Sequence, residues 1–160
     1  MAEYKYSTEL VKKENSAKAV GRDLVISTKQ SVEISSWLRG LDVETAKKRL
    51  NRVLTMKEAV PYKKFKESIS HRPGIGPGKF PQKSSAAILA LIEGAEANAQ
   101  FKGLNVNSLV ITHICAKKGS NAWHYGRKGG RHMKRTHVEI VLEEVEKTEK
   151  PKKKVREVKK

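Results

Sequence analysis

A single cysteine, Cys115, among 160 residues leaves no internal disulfide framework and suits a reducing compartment. No apolar run exceeds the seven residues Ala86–Ile92, far short of the roughly 20 that cross a bilayer, so no spanning helix is expected. The opening MAEYKYSTEL has neither a basic start followed by an apolar stretch nor a cleavage site, so no signal peptide is expected. Hydrophobic residues reach only 38%, and a packed interior must be drawn from part of the chain. The most informative absence is of acid: Lys117–Arg135 holds seven lysines and arginines, two histidines and no aspartate or glutamate in 19 residues. Such a stretch repels itself unless a polyanion surrounds it, and RNA is the best candidate.

What is present fits one cytoplasmic, basic domain. The net charge of +17 draws the chain to phosphate polymers or anionic surfaces without separating the two. Residues 1–16 are polar and aperiodic, and read as an extended arm. Alternation over Ala17–Leu24 predicts a short strand. Ser27 stands three residues before Gln30, the spacing of a capping box. Ile34, Trp37, Leu38 and Leu41 then recur at helical intervals, with Gly40 as the stop. Asp42 can cap a second helix whose buried stripe is Val43, Ala46, Leu50, Val53 and Leu54.

Val60–Lys83 changes character, with four of the five prolines, three of the eleven glycines, and six basic residues against one acid, Glu67. It reads as a brief helical turn around Tyr62–Phe65 and then an irregular loop through His71–Phe80. Pro81 suits the first turn of a third helix, with Ile88, Leu91, Ile92, Ala95 and Ala99 on one face and an end at Lys102–Gly103. Two β runs, Ser108–Ala116 and Thr136–Glu144, flank the acid-free stretch. The tail 146–160 carries eight lysines and arginines with three glutamates, and is expected to be disordered.

The expected fold class is therefore α+β, in a single domain over 17–145. A small three-stranded antiparallel sheet is packed by three helices, with a long protruding β-hairpin at about 106–144 and its basic tip at 117–135. Val138, Ile140 and Leu142 share one face of the last strand and His137, Glu139 and Glu143 the other, as in a sheet covered on one side only. At about 3.3 Å per residue the arm from Leu109 to Tyr125 spans on the order of 50 Å. A body of about 100 residues is only roughly 35 Å across, so a fully paired tip must leave it.

The chemistry-bearing candidates are few. In the ribbon, lysine and arginine can neutralise phosphates while Trp123, His124 and Tyr125 offer rings for stacking on bases. A plain solvated basic loop is the alternative. His113 and Cys115, two apart on a strand, share a side, but one thiol falls short of the paired ligands of a structural zinc site, and no metal or cofactor is expected. GIGPGKF (Gly74–Phe80) lacks the serine or threonine after Lys79 and the preceding strand that a P-loop needs; it reads as a proline-fixed loop presenting Arg72, Lys79 and Lys83. No nucleophile–base–acid set or carboxylate pair stands beside the basic surface, so an enzyme is not expected. A free regulatory RNA-binding module and a metal-dependent nuclease are the rival readings.

Together these segments resemble the universal large-subunit ribosomal protein twenty-two family, known in eukaryotes as large-subunit protein seventeen, in its archaeal branch. The carriers are AKAVGRDLVISTKQSVEISSWLRG, ETAKKRLNRVL, SHRPGIGPGKFPQK, AEANA, and the ITHICA…THVEIVLEE ribbon, spanning about Ala17–Glu144. The resemblance implies a structural constituent of the large ribosomal subunit that binds 23S-type rRNA, supports assembly, and lines the nascent-polypeptide exit tunnel with its hairpin. It implies rRNA contacts from the body at Lys29, Arg39, His71, Arg72, Lys79 and Lys83. From the hairpin it implies contacts at Lys117, Lys118, Arg127, Lys128, Arg131, Lys134 and Arg135. Trp123, His124, Tyr125, Gly126 and Arg127 would form the tunnel-facing tip, where WHYGRKGGRHMK replaces the Pro-Arg-Ala-rich run common in the family. The implied partners are large-subunit rRNA, neighbouring ribosomal proteins and the nascent chain, with no membrane and no homo-oligomer.

Overall fold

Alternating residues along Ser16–Leu24 form strand β1, and the chain then turns into helices α1 (Thr28–Leu38) and α2 (Val43–Leu54) in the computed structural model, which describes residues 5–8 and 15–145. Three short strands follow, β2 (Val60–Pro61), β3 (His71–Arg72) and β4 (Gly76–Lys79). Helix α3 (Gln82–Phe101) and the long strands β5 (Leu109–Lys118) and β6 (Thr136–Glu144) complete the order. The main sheet is antiparallel in the order β1-β6-β5, so the last strand is the central one. The α+β class, the three helices and the three-stranded sheet are as the sequence predicts. The 146–160 tail and most of the 1–16 arm lie outside the described residues.

Helical periodicity places Ile34 and Leu38 of α1, Ala46 and Leu50 of α2, and Ile88, Ile92, Ala95 and Ala99 of α3 in one fully buried cluster. Across from them lie Ile111, Ile114, Ile140 and Leu142 from the sheet, also fully buried. Burying each such side chain stabilises the fold by about 1.5–3 kcal/mol. Gly40 adopts φ +79°, and the turn it allows brings the α1–α2 link onto the β5 edge: Gly40 N–H donates to Ile111 O and Ile111 N–H to Leu41 O, at 2.8 and 2.9 Å. That contact blunts an otherwise open sheet edge.

Local expectations fail where distant groups intervene. Ser27 precedes α1 but its side chain does not cap it, and the Gln30 side chain, which a capping box would turn back to Ser27 N–H, accepts instead from Ser84 Oγ on α3 at 3.0 Å. Asp42 precedes α2, also without a side-chain cap, and Pro81 sits just outside α3 instead of in its first turn. No helical turn forms at Tyr62–Phe65. The buried carboxylate of Glu33 takes the amides of Lys63, Lys64 and Phe65 at 3.0, 2.8 and 2.7 Å, bending that segment around one acceptor.

The stretch read as an irregular loop instead makes a second small sheet, β2-β4-β3. Its hairpin turns at Arg72-Pro73-Gly74-Ile75, where Gly74 has φ +77° and Ile75 N–H returns to Arg72 O, a type II pattern.

The main sheet is also covered more fully than alternation suggests. Val141 and Glu139, on the face expected to be solvated, are both 0% exposed. Lys18, Val20, His113 and Cys115 flank them in register from β1 and β5. Residues 5–8 lie against this face: Ser7 N–H and Oγ–H both donate to Glu139 Oε2, at 2.9 and 2.7 Å, and Tyr6 lies 5.1 Å beneath the Lys18 ammonium. Segment 5–8, packed over the central strand, shields part of a face that local alternation would leave to solvent.

Candidate nucleic-acid interface

Pairing carries the ribbon beyond the regular strands. Gly119 N–H donates to Arg135 O, Met133 N–H to Ala122 O and His124 N–H to Arg131 O, at 2.7–2.9 Å. A 3-10 turn at Gly126–Lys128 closes the end, with Gly126 at φ +61°. The Trp123 and His132 rings face each other across this ladder, centroids 3.6 Å apart and planes at 32°. Beyond Gly119 the residues are mostly exposed, Trp123 at 60% and Tyr125 at 86%.

The ribbon's cations fall into two groups. Near the base, Lys117 Nζ reaches Glu139 Oε1 at 2.5 Å, and Arg135 donates through Nη1 to Asp23 O at 3.1 Å. Toward the end, Lys118, Arg127, Lys128, Arg131 and Lys134 are exposed and have no carboxylate partner among the described residues. Glu139 is therefore the acid that the acid-free stretch borrows from the strand beside it. Because it is fully buried, removing its partners would leave a charge with nothing to offset desolvation. Burial pushes nearby His113 below the ordinary histidine range; Glu139 opposes this, and Arg39 and Lys117 reinforce it.

The body cations are spread over separate surfaces. Lys29 and Lys79 line one groove. Lys83 joins Lys134, His124 and His132 along a cleft of about 300 Å³ where one flank of the ribbon leans on the starts of α1 and α3. Arg72 lies 5.2 Å over the Phe80 ring, in a separate cleft with Trp37 and Ile75. Arg39, exposed, donates to Ile114 O at 3.0 Å and so sits against β5, apart from the others. His71 is exposed on β3. Sequence reasoning missed Lys64, whose ammonium shares the Phe65 ring with Lys29, and Arg49, 5.3 Å over Trp37. The interleaving Lys63-Lys64-Phe65-Lys66 was the available signal.

Among the described residues no three His, Cys, Asp or Glu side chains converge as metal ligands. No helix among them is long and apolar enough to cross a membrane. What the surface offers is many unpaired cations, a few exposed rings and backbone glycines, an assortment suited to binding a phosphate polymer.

A family profile described as "Ribosomal protein L22p/L17e" matches residues 19–143. The "Large ribosomal subunit protein uL22" of Thermoplasma acidophilum is 42% identical, over 87% of this chain and 94% of its own length. Proteins of the same name from Methanopyrus kandleri and Ignicoccus hospitalis are 41% and 37% identical, over 88% and 91% of this chain and 94% and 100% of their own.

Proposed function

Because the chain belongs to the ribosomal protein L22p/L17e family, a family of structural large-subunit proteins and not enzymes, we propose that it binds large-subunit rRNA through both its body and its ribbon. The observation that carries this reading is the set of five exposed ribbon cations without carboxylate partners among the described residues, on a ribbon whose base is locked into the core. Charge neutralisation is the mechanism. Cations on the body and on the ribbon let rRNA segments approach one another, which supports subunit assembly. The far end, Trp123–Arg127, lines the nascent-polypeptide exit tunnel.

Two experiments test the parts separately. If about eight phosphates are neutralised, log K against log salt on protein-stripped large-subunit rRNA slopes by roughly −6 to −7. A slope near zero contradicts rRNA binding. A photoreactive side chain in place of Tyr125 crosslinks to nascent chains in translating ribosomes. Crosslinks to external proteins alone contradict the tunnel assignment. Sedimentation of nearly all the protein with large subunits separates this reading from a free regulatory RNA-binding module.

A further inference from the structure

A groove of about 660 Å³ runs on the body between the start of α1 and the Tyr62–Ile69 segment, and Ser27 and Gln30 separate it from the cleft that the ribbon flank lines. Three lysines line it: Lys29, Lys64 and Lys79. The ammonium groups of Lys29 and Lys64 lie 5.6 and 5.7 Å from the centroid of one ring, Phe65, which itself lines the groove. The only acid on the lining is Glu67. The other carboxylate nearby, Glu33, is buried and already accepts three backbone amides.

Two further features favour an anion. Helix α1 begins at this groove with no acidic residue in its first turn and no side-chain cap from Ser27, so the positive end of this 11-residue helix is not offset by its own first turn. Tyr62 also lines the groove. The residue is 5% exposed, yet its hydroxyl has no hydrogen-bond partner among the described residues. A buried, unsatisfied hydroxyl is costly, and phenylalanine would fill the same space without it. Burial, reinforced by Glu33, pushes the Tyr62 phenol up to about 12, so it remains a donor at any working pH.

We propose that this groove is a dedicated site for an RNA backbone phosphodiester, held by Lys29, Lys64 and Lys79 and by a hydrogen bond from the Tyr62 hydroxyl at the open end of α1. The site rests on the rRNA-binding reading and sharpens it, because it names a fixed anchor on the body to which no ribbon residue contributes. RNA fits better than an acidic polypeptide: three cations and a helix terminus face one space on a chain carrying +17.

The test uses the full-length chain and protein-stripped large-subunit rRNA, with affinity measured across salt concentration. Lys29→Gln, Lys64→Gln and Lys79→Gln each flatten the log–log slope by about 0.7–0.9. Tyr62→Phe leaves the slope unchanged but weakens binding about tenfold, the loss expected for a hydrogen bond to a charged acceptor. Its melting temperature stays level or rises, since no internal bond is lost. A wild-type protein that binds with a steep slope while all four variants match it in affinity and slope overturns the site and leaves rRNA binding standing. A wild-type slope near zero overturns the rRNA reading itself. Equal competition by polyglutamate at matched charge overturns the choice of RNA as occupant.

Discussion

The two halves of the ribbon are built from one continuous pairing but do different work. In the inner half, Ile111, Ile114, Val138, Ile140 and Leu142 are fully buried, and Lys117 is spent on the buried Glu139. In the outer half, from Lys118 to Arg135, the ladder is held by scattered backbone bonds and one ring contact, and five cations, Lys118, Arg127, Lys128, Arg131 and Lys134, face solvent without a carboxylate partner among the described residues. A two-stranded ribbon without a packed face is marginal in water. The contrast teaches that a cation's neighbours, more than its identity, separate residues that hold the fold from residues that wait for a partner.

Substitutions in the two halves should therefore diverge, and the largest effect belongs to the inner half. Ile140→Ala removes a fully buried side chain from the central strand and should cost about 2–5 kcal/mol in denaturant unfolding. A smaller loss would mean that the ribbon base is not part of the core. Glu139→Gln should cost less, roughly 1–3 kcal/mol, since Lys117 is 40% exposed and can rehydrate. It should also loosen residues 5–8, read as faster amide exchange at Ser7. An unchanged Ser7 amide would break the link between the N-terminal segment and the sheet.

A smaller effect concerns pH. The folded state holds His113 below its ordinary value of 6.5, chiefly through burial, so the unfolded chain binds the proton more readily. Stability from this group is complete above pH 6.5 and is lost as the pH falls through the lower folded value. His113→Gln should flatten the fall in melting temperature on acidification. The same curve for wild type and variant would remove His113 from the account.

How much of this was legible depends on how local its cause is. The stripes of α1, α2 and α3 and both ribbon strands could be read because periodicity is a property of neighbours. The prolines and glycines of His71–Phe80 marked a loop in the same way, but neither the turn at Pro73-Gly74 nor the pairing of β2, β3 and β4 around it was read from them. The bend at Lys63–Phe65 could not be read, because its cause, Glu33, lies some 30 positions earlier. Glu139 looked like an outward-facing residue. Its burial depends on β6 being central and on Ser7, 132 positions away in the chain. For the interface, the acid-free ribbon announced its cations, but Lys64 and Tyr62 gained a reading only once the α1 terminus was beside them.

The most direct test of the division between the halves is one paired measurement on Arg127→Ala, Lys128→Ala and Arg131→Ala combined. Binding to stripped large-subunit rRNA across salt should lose about 2–2.7 from the log–log slope, while the melting temperature of the free protein stays within about 1 °C, as expected for exposed sites without internal partners. An unchanged slope, or a variant that unfolds, would contradict the claim that the outer ribbon exists for its partner and not for its own fold.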